Sequence, residues 1–173
     1  MHQHLTLIKT VQPRQKVVEG ETMPVSEMKI ILTQALLMDA GSAIFKAIKS
    51  GEIADILAGL VALAYTSLQA LAMQDEDIVE HQGTTCQTYQ LLAIMRLLSD
   101  KIQNCSSGQA KHYSELYHLC TQLASGFLNA DFDKAFRVYH DWCKARVDSS
   151  EETATMLNPQ KTKLPDLTDC LYE

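Results

Sequence analysis

The sequence predicts an all-α protein, a bundle of about five helices that is completed by dimerisation. Apolar residues recur with helical spacing, glycine and proline are scarce (7 and 4), and no segment alternates with the two-residue period of a strand. A length of 173 residues with 46% apolar residues suits a single domain. We assign residues 23–147 to that domain, residues 1–22 to an irregular N-terminal arm, and residues 148–173 to an irregular C-terminal tail.

Start and stop signals divide the domain into helices. Pro24 suits the first turn of a helix, Ser50-Gly51 is typical of a helix C-terminus, and Asp131 is a favourable N-cap. We therefore expect helices at about 24–49, 52–73, 85–102, 110–128 and 131–147. Aromatic residues spaced three, four and seven apart in the last two helices are expected in the core: Tyr113, Tyr117, Phe132, Phe136, Tyr139 and Trp142.

Each of these helices has an apolar face that we expect to meet the core. In the first predicted helix this face includes Met28, Ile31 and Leu32, and in the third it includes Leu92 and Leu98.

The second predicted helix is apolar on nearly all sides, which indicates a central helix. The helices of a five-helix chain rarely surround one of their number completely. We therefore expect a homodimer with this second helix in the interface. The uncharged run from Ile56 to Met73 also reaches the lower length limit for a membrane span. Acidic residues flank it on both sides, where a span normally has basic or aromatic residues, and we favour a buried helix and no membrane.

The net charge and the cysteines limit the classes of ligand and the cellular compartment that we expect. The net charge of −6 and the absence of a Lys/Arg cluster argue against nucleic acid as a ligand. Five cysteines without a CxxC motif, and an N-terminus without a secretory signal, indicate free thiols and a cytoplasmic location.

The segment GEIAD at positions 51–55 is the most suggestive short motif. Glu52 and Asp55 are three residues apart and share one helical face, where two carboxylates can hold a Mg²⁺ ion that also binds phosphate. The alternative is that both acids lie in the first helical turn because the helix dipole favours negative charge there.

A helix, a Ser-Gly turn and an E-x-x-D that opens an apolar helix resemble the all-α nucleoside-triphosphate pyrophosphohydrolases, a superfamily that includes MazG-like proteins and phosphoribosyl-ATP pyrophosphohydrolase. The similar stretch runs from Ile30 to about Ile78 and includes AIKSGEIADILAGLVALAY. A weaker similarity lies in FDKAFRVYH and KTKLPDL. The resemblance implies a dimeric bundle and Mg²⁺-dependent cleavage of a nucleotide to monophosphate and pyrophosphate, with metal ions activating a water.

The resemblance also implies site residues. Glu52 and Asp55 match the second acidic pair as catalytic residues and metal ligands, and Asp39 on the preceding helix is the remaining candidate ligand. Independently of the resemblance, Lys134 and Arg137 lie on the fifth helix and are candidates for contact with phosphate, the alternative being an exposed face of that helix. His140 becomes a candidate through the weaker similarity.

Part of the family's acidic motif is missing. Ala40 and Ala43 occupy positions where glutamates are expected, and Gly59 replaces a further acid. The second hypothesis is therefore a catalytically eroded homologue that acts as a dimeric nucleotide-binding or protein-interaction module.

Overall fold

The computed structural model describes residues 2–11, 27–80, 90–149 and 164–172, and these ranges form an all-α bundle, as predicted. Their β-pairing is a single isolated antiparallel bridge between Ala130 and Leu171. Short 3-10 turns lie at Cys105–Ser107 and Thr168–Cys170. The α-helices of these four ranges are α1 (His2–Val11), α2 (Glu27–Ser50), α3 (Ile53–Met73), α4 (Leu91–Asn104), α5 (Ala110–Gly126) and α6 (Phe132–Ser149).

Helix α3 is the centre of the bundle. Helices α1, α2, α5 and α6 all pack against it, and its leucines at 57, 60, 63, 68 and 71 are fully buried. Each fully buried leucine contributes about 1.5–3 kcal/mol of hydrophobic free energy, so α3 is the main apolar element of the fold.

Helices α2 and α3 form an antiparallel hairpin around the predicted Ser50-Gly51 stop. Gly51 has a left-handed φ of 78°, and its N–H donates to the carbonyl oxygen of Ala47 at 2.9 Å. Further from the turn, Gly59 of α3 faces Ile44 of α2 so closely that a Cβ at position 59 would overlap Ile44 Cγ1. The missing side chain therefore lets the two helices approach each other.

Helix α1 corrects the prediction of an irregular N-terminal arm, at least for residues 2–11. Leu5 and Ile8 are buried (3% and 1% exposed), and α1 packs directly on α3. A helix of ten residues shows too few apolar positions for its period to be recognised in the sequence. Residues 12–22 of the predicted arm lie outside the described ranges.

The same helix overturns the reason for placing the central helix in a dimer interface. The argument assumed that one chain could not cover α3, but α1 supplies a fourth neighbour and nearly all of α3 beyond Asp55 is buried within one chain. An interface through α3 is therefore not needed to explain its apolar composition.

Helix α4 begins later than predicted. Gln90 has an extended backbone (φ −77°, ψ 128°), so the helix starts at Leu91, and residues 81–89 lie outside the described ranges. Leu98 is buried as predicted, but Leu92 is 59% exposed and does not belong to the core. The buried face is formed by Ile94, Leu98 and Ile102, which are four residues apart.

Helix α6 begins as predicted. The backbone N–H of Lys134 donates to Asp131 Oδ1 at 3.0 Å, which is the N-cap bond expected of an aspartate before Phe132. Residues 164–172 lie against this end of α6: the N–H of Asp131 donates to the carbonyl oxygen of Cys170 at 2.8 Å, and Leu167 and Cys170 are buried.

Candidate functional site

The two acids of the GEIAD segment lie exposed at the start of α3. Glu52 is the N-cap residue, with φ −81° and ψ 93°, and its side chain makes no capping hydrogen bond. Asp55 follows in the first turn. Both acids therefore lie at the N-terminal end of α3. The same position also suits two unliganded acids near the positive end of the helix dipole.

Asp39 is not brought to this pair. The contact between Ile44 and Gly59 sets the register of the hairpin, which places Asp55 at the level of about residue 48 on α2. Asp39 lies roughly nine residues away, about 13 Å along the axis, and is exposed to solvent. Two aspartates that share an Mg²⁺ ion at about 2.1 Å from each oxygen do not span that distance from these backbone positions.

The predicted three-residue metal set is therefore not assembled within one chain. In the described parts of the chain, no group of three or more His, Cys, Asp or Glu residues is arranged to hold a metal ion. These residues do not fit a three-ligand magnesium site, and Mg²⁺ binding by Glu52 and Asp55 stays a prediction.

The two predicted phosphate-binding cations on α6 are exposed, and both bind groups of their own chain. Lys134 Nζ donates to the carbonyl oxygen of Asp169 at 2.7 Å. Arg137 Nε donates to Asp133 Oδ2 at 2.8 Å, and its Nη2 donates to Gln3 Oε1 at 3.3 Å. Lys134 thereby holds residues 164–172, and Arg137 contacts α1.

His140 is in the core rather than at a binding surface. It is 6% exposed, its Nδ1 lies 3.3 Å from Tyr65 Oη, and burial lowers its pKa below 6.5. The lowered pKa favours the neutral imidazole, which has no charge to offer a phosphate. The reason is helical spacing: His140 shares one face of α6 with Phe132, Phe136 and Tyr139, which are buried as predicted.

An exposed apolar row on α2, which we call the α2 outer stripe, is the least expected feature. It consists of Met28, Ile31, Leu32, Ala35 and Met38, and its four large members are 61%, 58%, 42% and 55% exposed. Spacings of three and four residues place them on one side of the helix, opposite the residues that α2 buries against the bundle. The prediction that Met28, Ile31 and Leu32 face the core is wrong.

The sequence contained a signal for this outcome. Apolar residues of α2 occupy both the stripe and the opposite face at Leu37 and Ile44, which is more surface than one contact with α3 can bury. By length and composition α2 and α3 are each able to cross a membrane. In the most apolar 18-residue window, 78% of α3 is buried inside the bundle but only 22% of α2.

A groove of about 460 Å³ runs beside the stripe, between α2 and α4. Met38, Phe45 and Ile102 line it with apolar surface, and Lys46 and Lys49 lie on its rim. The helices approach closely here because Gly41 has no side chain. A Cβ at position 41 would lie 2.8 Å from Ile102 Cδ1.

Beside this groove, one buried polar atom of α2 has no hydrogen-bond partner among the described residues. Gln34 Nε2 donates to the carbonyl oxygen of Ile102 at 3.0 Å. Gln34 Oε1 is buried and has no hydrogen-bond partner among the described residues. Buried unpaired oxygens are uncommon in folded proteins, so the α2–α4 contact is the least satisfied part of the described bundle.

Comparison of the chain with protein-family models, with curated proteins and with solved structures gives no match. The resemblance to MazG-like pyrophosphohydrolases, the magnesium dependence and the cytoplasmic location therefore stay predictions.

Proposed function

We propose that the chain is a homodimeric protein-interaction module in which two copies join through the α2 outer stripe. The observation that carries the proposal is a 24-residue helix with four large apolar side chains 42–61% exposed on the side opposite its own core. Contiguous exposed apolar surface of this kind marks interfaces, because leaving it in water costs about 25 cal/mol per Å².

A second copy fits the middle of the stripe, where Leu32 and Met38 lie three residues on either side of the smallest member, Ala35. Further out the pairing is mixed, because Ile31 comes opposite the exposed Asp39 of the partner subunit. If two α2 helices cross antiparallel at Ala35, Leu32 of one copy meets Met38 of the partner subunit on each side of the crossing. The small side chain of Ala35 allows a close approach at the two-fold axis. A surface that meets its own copy in this way forms a closed, isologous dimer.

Charges favour the antiparallel arrangement. The stripe has Glu27 at its N-terminal end and Lys46 and Lys49 beyond its C-terminal end. With the axis at Ala35, Glu27 lies within about one helical turn of Lys46 of the partner subunit, within reach of a long lysine side chain. A parallel pairing would bring like charges and like helix dipoles together.

The groove between α2 and α4 can accept a side chain of the second copy in the proposed dimer. In this arrangement Met28 of the partner subunit faces Ser42, which lines the groove beside Phe45. A methionine is suited to such a place, because its flexible side chain fills irregular apolar gaps.

The experiment compares two matched substitutions by size-exclusion chromatography with light scattering at micromolar concentration. The native chain of 19.3 kDa is expected at twice that mass. Leu32→Glu is expected to give a monomer because it buries a charge at the contact. Val79→Glu, at a residue of similar exposure (45% against 42%), is expected to remain a dimer.

Cross-linking tests the orientation. Ala35→Cys is expected to form a disulfide between copies, since residue 35 meets itself at the axis, whereas Ala145→Cys on the exposed side of α6 is not. A monomeric native chain overturns the proposal. So does a dimer that Leu32→Glu leaves intact, or sedimentation with lipid vesicles that depends on Leu32.

The pyrophosphohydrolase prediction is separate from this proposal. No cluster of described residues favours it over the interaction module, and its assay is given below.

A further inference from the structure

His4 connects α1 to two other helices. It is 7% exposed, its Nε2 lies 2.8 Å from Asp133 Oδ1 on α6, and its Nδ1 lies 2.8 Å from Tyr117 Oη on α5. The imidazole also stacks on Phe136, with ring centroids 4.2 Å apart. A single side chain thus makes the buried polar contacts of α1 with both helices.

When the imidazole is neutral, these two contacts fix its tautomer. A carboxylate only accepts hydrogen bonds, so Nε2 carries the hydrogen and donates to Asp133. Nδ1 then has a free electron pair, and the hydroxyl of Tyr117 donates to it. Burial raises the pKa of Tyr117 to about 12, so this hydroxyl keeps its hydrogen throughout the physiological range.

The rest of α1 is held mainly by apolar contacts. Leu5 and Ile8 pack on α3, and the half-buried Lys9 Nζ lies 3.5 Å from the exposed Asp75 and 3.7 Å from the exposed Asp77. A ten-residue helix is not stable alone in water, so α1 stays helical only while it is docked. Loss of docking and unfolding of α1 are therefore one event.

We propose that α1 is a pH-sensitive strap, whose docking weakens when His4 takes up a proton and uncovers the part of α3 beneath it. The strap is independent of the proposed dimer, because the α2 outer stripe lies on another helix and on the side turned away from α3.

The geometry explains why protonation opposes docking. A protonated imidazole has a second N–H at Nδ1, directed at Tyr117, which must then turn its own hydrogen away. The charge would also be buried among Phe132, Phe136 and the ring of Tyr117.

The charged neighbours of His4 act in both directions. Asp133 favours the protonated form, whereas Arg137 disfavours it, and α3 carries no charged residue between Ile56 and Met73. Burial is the largest effect, and the pKa of docked His4 lies below 6.5.

The sign of the pH dependence follows. Undocked His4 has a pKa near 6.5 and binds a proton more readily than docked His4, so acid favours the undocked form. Docking is strongest above pH 6.5 and weakens as the pH falls through 6.5 towards the lower pKa of the docked state.

Hydrogen exchange of the full chain, read by mass spectrometry at pH 7.5 and pH 5.0 and corrected for intrinsic rates, tests the strap. The protection of α1 amides is expected to fall by about threefold or more at pH 5.0, while that of α5 amides is unchanged. His4→Gln is expected to abolish this pH dependence. His112→Gln, at a histidine of α5 bonded to Ser107, is expected to preserve it.

If α1 of the His4→Gln chain is already undocked at pH 7.5, that variant cannot report a pH dependence. A second variant then tests the proposal. Asp133→Asn removes the charge that favours protonated His4, so its loss of α1 protection at pH 5.0 is expected to be larger than in the native chain. Native protection that is independent of pH, an equal loss in α5, or a smaller loss in Asp133→Asn overturns the proposal.

Discussion

The close approach of α2 and α3 at Gly59 leads to a prediction that reverses the usual effect of a glycine replacement in a helix. Replacing an interior helical glycine by alanine normally stabilises a helix by about 1 kcal/mol. At position 59 the new Cβ overlaps Ile44 Cγ1 and lies 3.3 Å from Ile44 Cδ1. Because the overlap is near the base of the isoleucine side chain, a rotation of its tip does not relieve it.

We expect Gly59→Ala to destabilise the chain. Overpacking in a core costs about 1–3 kcal/mol, and the overlap at Cγ1 places this case near the upper limit. After the gain in helix propensity, the net loss is about 2 kcal/mol. In a chain of this length that loss lowers Tm by roughly 4–8 °C.

The assay is thermal and urea unfolding of Gly59→Ala, Ile44→Ala and the double variant. Ile44→Ala alone is expected to lose about 3 kcal/mol through its cavity. In the double variant the new methyl group occupies part of that cavity, so the two losses are less than additive by about 1–3 kcal/mol. A Gly59→Ala chain as stable as the native one, or two losses that simply add, refutes the argument.

Three further outcomes are expected. Gly51→Ala lowers the free energy of unfolding by about 1 kcal/mol, read as a lower urea midpoint at constant m, because φ is 78° there. Lys101→Met lowers it by about 1–2 kcal/mol, since Lys101 Nζ lies 2.7 Å from Glu115, which is only 8% exposed and keeps Lys111 Nζ at 3.9 Å as a second partner. Lys101→Met with Glu115→Leu restores most of the loss in the same urea titration. The pyrophosphohydrolase prediction requires Mg²⁺-dependent pyrophosphate release from a nucleoside triphosphate that falls at least tenfold in both Glu52→Gln and Asp55→Asn; a native chain without such release removes it.

The sequence predicted the helices whose boundaries have local causes. The stop at Gly51 and the N-cap at Asp131 depend on backbone conformation and on a side chain a few residues away, and both were read correctly. The buried aromatic face of α6 also follows from spacing alone. The start of α4 at Leu91 had no such local signal before it.

What the sequence did not reveal depends on which helices meet. Periodicity shows that Met28 and Leu37 are apolar positions of α2, but only the packed bundle decides that Leu37 is buried and Met28 is exposed. The docking of α1 through His4 joins residues 113 and 129 positions apart, which no local pattern encodes.

The predicted three-residue metal set is not assembled in the described chain for a related reason. Spacing predicts that Glu52 and Asp55 share one face, but the distance of Asp39 from them is set by the register of the hairpin. His140 was a candidate for phosphate contact only through the resemblance of its segment, FDKAFRVYH, to a family, whereas its position on α6 makes it part of the core.

The first turn of α6 joins parts of the chain that are far apart in sequence. Asp133 receives His4 from α1, and the adjacent Lys134 holds the carbonyl oxygen of Asp169. During synthesis on a ribosome, α1 and the apolar α3 therefore emerge long before this turn exists. Until α6 emerges, the central helix α3 lacks one of the four helices that cover it, so the nascent chain exposes part of its most apolar helix to water.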